Sequence, residues 1–148
     1  MRKVILSGIL LVLFAISVRS QELVAAVLVA EAGNEGYDGM TAVLNVVDNR
    51  ARAARTDRLT EVKRRKAFSC LNGLTPAALI AKSKKHPQWK RAVYLVSLKW
   101  VPDLTHGALY YHEKRIHPKW ADPKKMVTTI GHHLFYVGHF GPRGYSPS

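Results

Sequence analysis

The sequence predicts an α+β fold in which a helical body is followed by a small antiparallel sheet near the C-terminus. Apolar side chains recur at helical spacing before Pro102, whereas aromatic and β-branched residues dominate the segments after it. Hydrophobic residues make up 47% of the 148 positions, an ordinary share for a globular protein. A chain of this length forms one compact domain and is too short for two large ones.

The first twenty residues have the layout of a secretory signal peptide. The positively charged start "MRK" precedes the apolar stretch "VILSGILLVLFAISV", and the side chains before Gln21 favour cleavage after Ser20. An uncleaved signal anchor is the alternative, although the apolar stretch is shorter than the roughly 20 residues of a usual membrane span. We therefore expect a signal peptide or signal anchor at 1–20, a folded domain at 21–140 and a flexible tail at 141–148.

The chain is strongly basic. Lys and Arg number 23 against 10 Asp and Glu, and removing Arg2, Lys3 and Arg19 with residues 1–20 leaves 13 − 3 = +10. Such a surplus favours a polyanionic partner such as nucleic acid, an anionic membrane or an acidic cell-envelope polymer, although a merely soluble cationic surface is common. The single cysteine, Cys70, excludes an intramolecular disulfide, and we expect it to be a small packed side chain.

The first predicted helix, residues 22–33, carries an acid on the same face as core side chains. Val24, Val27, Leu28 and Glu31 fall at i, i+3, i+4 and i+7. The segment "GNEG" then ends the helix, because Gly and Asn suit a left-handed C-terminal residue. An ionisable group at the end of an apolar face costs several kcal/mol unless it is paired or used, so Glu31 needs a partner or a function.

The second predicted helix, from Gly39 to Arg55, carries two stripes at helical spacing. The apolar stripe consists of Met40, Val43, Leu44 and Val47. The polar stripe consists of Asn45, Asp48, Asn49 and Arg52. Two amides one turn apart can jointly hydrogen-bond a polar ligand, although a solvated face is the simpler interpretation.

Three shorter helices are expected before the sheet. The segment "LTEVKRRKAF" predicts a short helix with a basic cluster, Lys63–Lys66, and "FSCLNG" predicts a turn-rich loop. Thr75 and Pro76 are typical of an N-cap and a first helical position, and "PQWKRAV" repeats that start. The tryptophans of this last helix, Trp89 and Trp100, are expected in the core.

The pattern changes after Pro102. The segments "GALYYHE" and "VTTIGHHLFYV" are rich in aromatic and β-branched residues and predict strands. The linker between them, "KRIHPKWADPKKM", carries two prolines and many charges. The chain after Gly138 is expected to be loosely ordered.

Glu31 is a candidate catalytic acid. A carboxyl group among apolar groups disfavours its charged form, so it can stay protonated and donate to a leaving oxygen, as cleavage of a glycoside requires. A single buried glutamate is a weak signal, because it can instead form an ion pair with Arg50 or Arg52.

Metal binding and nucleic-acid binding are the competing interpretations. Seven histidines and the pair His132 and His133 suggest a metal, but no HExxH or equivalent spacing is present, and in a strand the two would point to opposite faces. The charge fits nucleic acid, but no helix-turn-helix, RRM or zinc-finger pattern occurs, and an export signal argues against an intracellular target. We therefore expect no metal, no other cofactor and no nucleic-acid partner.

Four blocks of sequence, in this order, resemble the SleB/CwlJ-type cell wall hydrolases, which are spore-cortex lytic enzymes with phage and bacterial relatives. The blocks are "LVAAVLVAEAGNEGYDGMTAVLNVVDNR", "FSCLNG", "GALYYHE" and "TTIGHHLFY". The resemblance covers roughly residues 22–137. The chain has "EAGNE" where the family usually has "EARGE", Ala67 in place of a glutamine before "FSC", and "GHH" in place of "GNH".

The resemblance implies that residues 21–140 form a cell wall hydrolase catalytic domain with a lysozyme-like fold, and that Glu31 is the catalytic acid. It also implies a substrate cleft lined from the second helix, the "FSC" loop and the aromatic strands. The residues carried over as substrate-binding are Asn45, Asn49, Phe68, Ser69, Tyr110, Tyr111, His133 and Tyr136.

The implied activity is cleavage of the MurNAc–GlcNAc bond of peptidoglycan by a lytic transglycosylase that forms 1,6-anhydro ends. A muramidase or an N-acetylmuramoyl-L-alanine amidase on the same substrate, or a non-catalytic cationic glycan-binding protein, remain as alternatives. We expect an exported monomer in the periplasm or cell wall that is attracted to the anionic cell-envelope surface. A phage endolysin and a bacterial wall-remodelling enzyme both suit this description.

Overall fold

The computed structural model of the chain describes residues 18–64 and 67–139. Of the predicted signal peptide, only residues 18–20 are among them. The predicted tail at 141–148 and half of the basic cluster Lys63–Lys66 lie outside the described residues. Within the described part, no helix is both long and apolar enough to cross a membrane.

Two consecutive helices form the centre of the fold. The first, α1, is helical over residues 18–32 of the described chain, so Ser20 and Gln21 lie within it. A short 3-10 helix, Gly33–Glu35, follows directly, and α2 spans Gly36–Ala54. The segment "GNEG" therefore ends α1 as predicted, but α2 begins three residues earlier than expected.

Three shorter helices complete the helical body: α3 is Arg58–Lys63, α4 is Pro76–Ser83 and α5 is Trp89–Ser97. The predicted cap of α4 is confirmed, because the Thr75 hydroxyl accepts a hydrogen bond from the Ala78 N–H at 3.2 Å. The prediction that Trp100 is a core residue is wrong. The helix ends at Ser97, so helical spacing no longer applies to Trp100, which is 74% exposed.

The predicted antiparallel sheet is confirmed and has three strands in the order β1-β3-β2. These strands are β1 at Tyr110–Glu113, β2 at Met126–Ile130 and β3 at His133–Tyr136. The segment "VTTIGHHLFYV" therefore forms a hairpin whose turn contains Gly131 and His132. The two histidines are separated because one lies in the turn and the other begins β3, and not because they alternate along one strand.

Helix α2 is buried because it packs on both sides. Its predicted apolar stripe lies in the core shared with α1, α4 and α5, which confirms that stripe. Its other side places Ala42 and Val46 against Phe135 of β3 and Ala108. The helical body and the sheet therefore meet across α2, in the α+β arrangement that the sequence predicts.

The polar stripe of α2 holds the loop that leads into β1. The Asn45 amide donates to the Pro102 carbonyl at 3.1 Å and accepts from the Leu104 N–H at 2.9 Å. The Asn49 amide donates to the Ala108 carbonyl at 3.1 Å and to Asp103 Oδ2 at 3.2 Å. Both asparagines are buried, so neither forms part of a solvated face or an open ligand-binding face, whereas Arg52 at the end of the stripe is exposed.

Stability is expected to fall in acid through Glu61. This carboxylate is 0% exposed and accepts hydrogen bonds from Thr56 and Arg64. Burial raises the pKa of Glu61, but the bonds from Arg64 and Thr56 outweigh it and hold the pKa below its ordinary value. Because the folded pKa is depressed, this stabilisation is complete above the unfolded pKa and is lost as the pH falls below about 4.3.

Urea unfolding at pH 7 and at successively lower pH values tests this prediction. The free energy of unfolding of the wild type should fall more steeply below that pH than that of Glu61→Gln, which cannot titrate there. Parallel pH profiles for the two proteins would contradict it.

Candidate active site

The Glu31 side chain lies at the end of α1 with two neighbours that come from distant parts of the chain. The Tyr111 hydroxyl, from β1, donates a hydrogen bond to Glu31 Oε2 at 3.0 Å. The Cys70 N–H lies 3.5 Å from Oε1, at the long limit of a hydrogen bond. The two alternative partners are engaged elsewhere: Arg50 donates to the Leu109 carbonyl at 2.7 Å, and Arg52 donates to Asn49 Oδ1 at 3.2 Å.

Both neighbours of Glu31 are held in their protonated forms. Burial, followed by the charge of Glu31, raises the pKa of Tyr111 well above its usual value, so the phenol remains a hydrogen-bond donor. Burial and the same charge raise the pKa of the Cys70 thiol to about 12. Cys70 is therefore not an activated nucleophile. This agrees with the prediction from the sequence that it is a packed side chain.

Glu31 lines a cleft with a volume of about 660 Å³. The end of α1 and the 3-10 helix, the Cys70 region, α4 with the turn after it, and the sheet all contribute to it. The lining residues are Val29, Ala30, Glu31, Ala32, Gly33, Asn34, Glu35, Cys70, Leu74, Leu79, Lys82, Ser83, Lys85, His86, Pro87, Glu113 and His133. This volume lies within the usual range of clefts that bind a whole ligand molecule.

The sheet contributes two polar residues to the cleft through the register of β1 and β3. Glu113 pairs with His133, and Tyr111 pairs with Phe135, so these four side chains share one face. The His133 ring lies 5.2 Å from the Tyr111 ring in an edge-on arrangement. Burial lowers the pKa of His133, and the nearby carboxylates of Glu35, Glu113 and Glu31 only partly offset this effect, so the imidazole is neutral at neutral pH.

Glu35 joins the helical body to the β2–β3 turn. Its carboxylate accepts a hydrogen bond from the His132 N–H at 3.0 Å and lies 2.7 Å from His132 Nδ1. Burial raises the pKa of Glu35, but these contacts with His132 outweigh it, and the pKa lies below its ordinary value. Gly131 is required at the turn, because φ is +55° and a Cβ atom would overlap the Glu35 carboxylate. These contacts indicate a structural role for Glu35.

The structure brings together only some of the residues that the resemblance implies for the site. Glu31 and His133 line the cleft, Tyr111 contacts Glu31, and Ser69 is exposed beside Cys70. Asn45 and Asn49 instead hold the loop before β1.

Three aromatic residues also lie away from the cleft. Phe68 is 2% exposed and packs under the Arg50 guanidinium. Tyr110 and Tyr136 lie on the other face of the sheet, where Tyr110 donates to the His139 carbonyl and both rings pack on Trp120. Their contacts are those of packing residues.

The cleft residues that were not among the predicted site residues include Lys82, Lys85, His86 and Glu113. Alternation along β1 identifies Glu113, because it lies two residues after Tyr111 on the same face. The other three carry no local signal, since only tertiary packing brings the end of α4 to the end of α1. Gly33, where the family usually has arginine, is covered by the His86 ring, which a Cβ atom there would approach within 2.9 Å.

Comparisons with known proteins agree with this architecture. A family model described as "Cell Wall Hydrolase" matches residues 34–136, a range that begins just after Glu31. The crystal structure of the catalytic domain of the Bacillus cereus SleB protein is similar, with a TM-score of 0.52 and 26% sequence identity, over 80% of this chain and 89% of that chain. No curated protein is similar enough to match the chain. Because the family model covers more than half of its length, the chain belongs to the cell wall hydrolase family, and its fold matches the SleB catalytic domain.

Proposed function

We propose that this cell wall hydrolase is a lytic transglycosylase that cleaves the MurNAc–GlcNAc bond of peptidoglycan, with Glu31 as its acid and base. The observation that carries the proposal is the placement of Glu31 in the 660 Å³ cleft, with its carboxyl group oriented by the Tyr111 hydroxyl. A proton donor needs a fixed position within hydrogen-bonding reach of the leaving oxygen. A neutral tyrosine that remains a donor provides that fixed position.

The proposed reaction needs one carboxyl group. Protonated Glu31 donates its proton to the glycosidic oxygen as the bond from that oxygen to C1 of N-acetylmuramic acid breaks. The resulting carboxylate accepts the proton of the muramoyl 6-hydroxyl, whose oxygen bonds to C1. The ring closes without water, Glu31 regains its proton, and the products are a free 4-hydroxyl and a 1,6-anhydro end.

A muramidase is the second candidate, because Glu113 gives the cleft another carboxylate. Ordinary glycosidases use a pair of carboxyl groups, one of which activates water or forms a covalent intermediate. Mass spectrometry of digested sacculi distinguishes the candidates. Anhydromuropeptides support the transglycosylase, reducing muramic ends support a muramidase, and released stem peptides support an amidase, while intact sacculi support a non-catalytic glycan-binding protein.

Tyr111→Phe is expected to lower kcat by about 10- to 100-fold, the equivalent of one hydrogen bond to a charged group. The change removes the hydroxyl that orients Glu31 and keeps the ring that packs on His133 and Phe135. Because the hydroxyl is bonded to Glu31, KM should change little. Steady-state kinetics on soluble glycan strands measure both constants.

Tyr110→Phe is the matched control, because it removes a neighbouring hydroxyl that bonds the His139 carbonyl instead. Its kcat should equal that of the wild type. An equal loss in both variants would show that any tyrosine hydroxyl in β1 has the same effect, and would contradict the positioning role of Tyr111.

We further propose that the protein acts after export, as a monomer in the periplasm or cell wall. The net charge, +13 for the full chain and 13 − 3 = +10 without residues 1–20, supports attraction to an anionic envelope, and this attraction should weaken at high salt. Both a phage endolysin and a bacterial remodelling enzyme fit such a location.

A further inference from the structure

The cleft contains two lysines whose charges the proposed reaction does not use. Lys82 lies at the end of α4, and Lys85 lies in the turn that follows it. Residues three apart on a helical turn lie on the same side, and both side chains line the cleft that contains Glu31. We call these two residues the lysine pair.

The neighbouring Lys84 shows that this placement is not a general property of the basic segment. Lys84 lies 2.6 Å from Glu22 and lines a different cavity together with Ile80 and Leu59. Among the residues that the structure describes, no ion pair involves Lys82 or Lys85. A cation near the end of α4 is favoured by the helix dipole, but that effect does not explain why both lysines line the cleft.

The carboxylates of the cleft come from other elements. Glu31 and Glu35 lie at the end of α1 and in the 3-10 helix, and Glu113 ends β1. An anionic substrate group is therefore repelled from the α1 and β1 parts of the cleft and attracted to the α4 part.

Peptidoglycan carries its anionic groups close to the bond that is cleaved. The glycan strand itself is neutral, whereas each stem peptide is attached to muramic acid through its lactyl group and carries free carboxylates. A cleft that places muramic acid at Glu31 must also accommodate the start of that peptide. We propose that the lysine pair binds the carboxylates of the stem peptide, so that the enzyme selects stem-bearing strands over peptide-free strands. This inference rests on the proposed function.

The test compares two substrates and two double variants. The substrates are glycan strands with intact stems and the same strands after an amidase has removed the stems. For Lys82→Gln/Lys85→Gln, KM on stem-bearing strands should rise about 3- to 30-fold, as expected for the loss of two exposed ion pairs. Its kcat on both substrates and its KM on peptide-free strands should match the wild type.

The control double variant, Lys84→Gln/Lys90→Gln, loses the same net charge from residues that do not line this cleft. Its KM should match the wild type on both substrates. If the two double variants behave alike, the effect is that of overall charge and the proposal is overturned. It is also overturned if KM of the lysine-pair variant rises equally on both substrates, because the pair would then contact the glycan and not the stem peptide.

Binding measurements separate this inference from the proposed function. Isothermal titration of Glu31→Gln with stem-bearing and peptide-free strands, with and without the lysine-pair substitutions, gives the same comparison without turnover. Absence of glycan cleavage by the wild type overturns the proposed function, whereas equal affinity for the two kinds of strand overturns the role of the lysine pair.

Discussion

Glu31→Gln is expected to lower the rate of glycan cleavage by about 10²- to 10⁴-fold, the usual contribution of a general acid–base residue. The amide has nearly the shape of the carboxyl group and can still accept a hydrogen bond from the Tyr111 hydroxyl. It cannot donate an acidic proton to the glycosidic oxygen, and it cannot accept the proton of the 6-hydroxyl. Kinetics on soluble glycan strands should show the loss in kcat, with little change in KM.

Asp38→Asn is the control for Glu31→Gln. Asp38 is an exposed acid in the first turn of α2 and does not line the cleft, so its neutralisation should leave kcat unchanged. Circular dichroism and thermal unfolding should show that both variants are folded. Activity near the wild-type level in Glu31→Gln would remove Glu31 from the mechanism.

Phe135→Ala is expected to destabilise the domain by about 3–5 kcal/mol, the usual cost of emptying a large core site. Phe135 is 0% exposed in the central strand of the sheet. It packs on Ala42 and Val46 of α2, and its ring lies 5.6 Å from the Tyr111 ring. The cavity would lie where α2 meets the sheet, next to the Tyr111 ring.

Urea unfolding at pH 7 measures this loss. Phe135→Leu should cost less because most of the volume is retained, and Trp100→Ala should change stability by no more than about 0.5 kcal/mol because Trp100 is an exposed surface residue. If Phe135→Ala cost no more than Trp100→Ala, the sheet would not be packed on α2 as described here.

Helical spacing predicted the main elements of the fold and placed Glu31 on the core-facing side of α1. Those features depend on the spacing of apolar residues within one short segment, and this spacing can be read directly from the sequence. The start of α2 and the exposure of Trp100 were not predicted correctly. Both depend on where a helix begins or ends, and packing with other segments decides this. The role of Asn45 and Asn49 depended on the loop before β1, which lies more than fifty residues away in the chain.

The cleft was harder to predict than the catalytic candidate. Alternation along a strand places Tyr110 and Tyr111 on opposite faces of the sheet, but it does not indicate which of them faces the helices. That choice follows from the pairing of β1 with β3, which aligns Tyr111 with the buried Phe135. Lys82 and Lys85 lie in a basic segment that looks uniform in sequence, and only the fold distinguishes them from Lys84.

The hydrogen bond between Tyr111 and Glu31 joins residues 80 positions apart in the chain. Contacts of such high sequence separation form late, because a long loop must close before they can contribute. A chain that has formed only α1 contains Glu31 but lacks its hydrogen bond from Tyr111. Under the proposed mechanism, glycan cleavage therefore requires a chain in which the sheet has already joined the helical body.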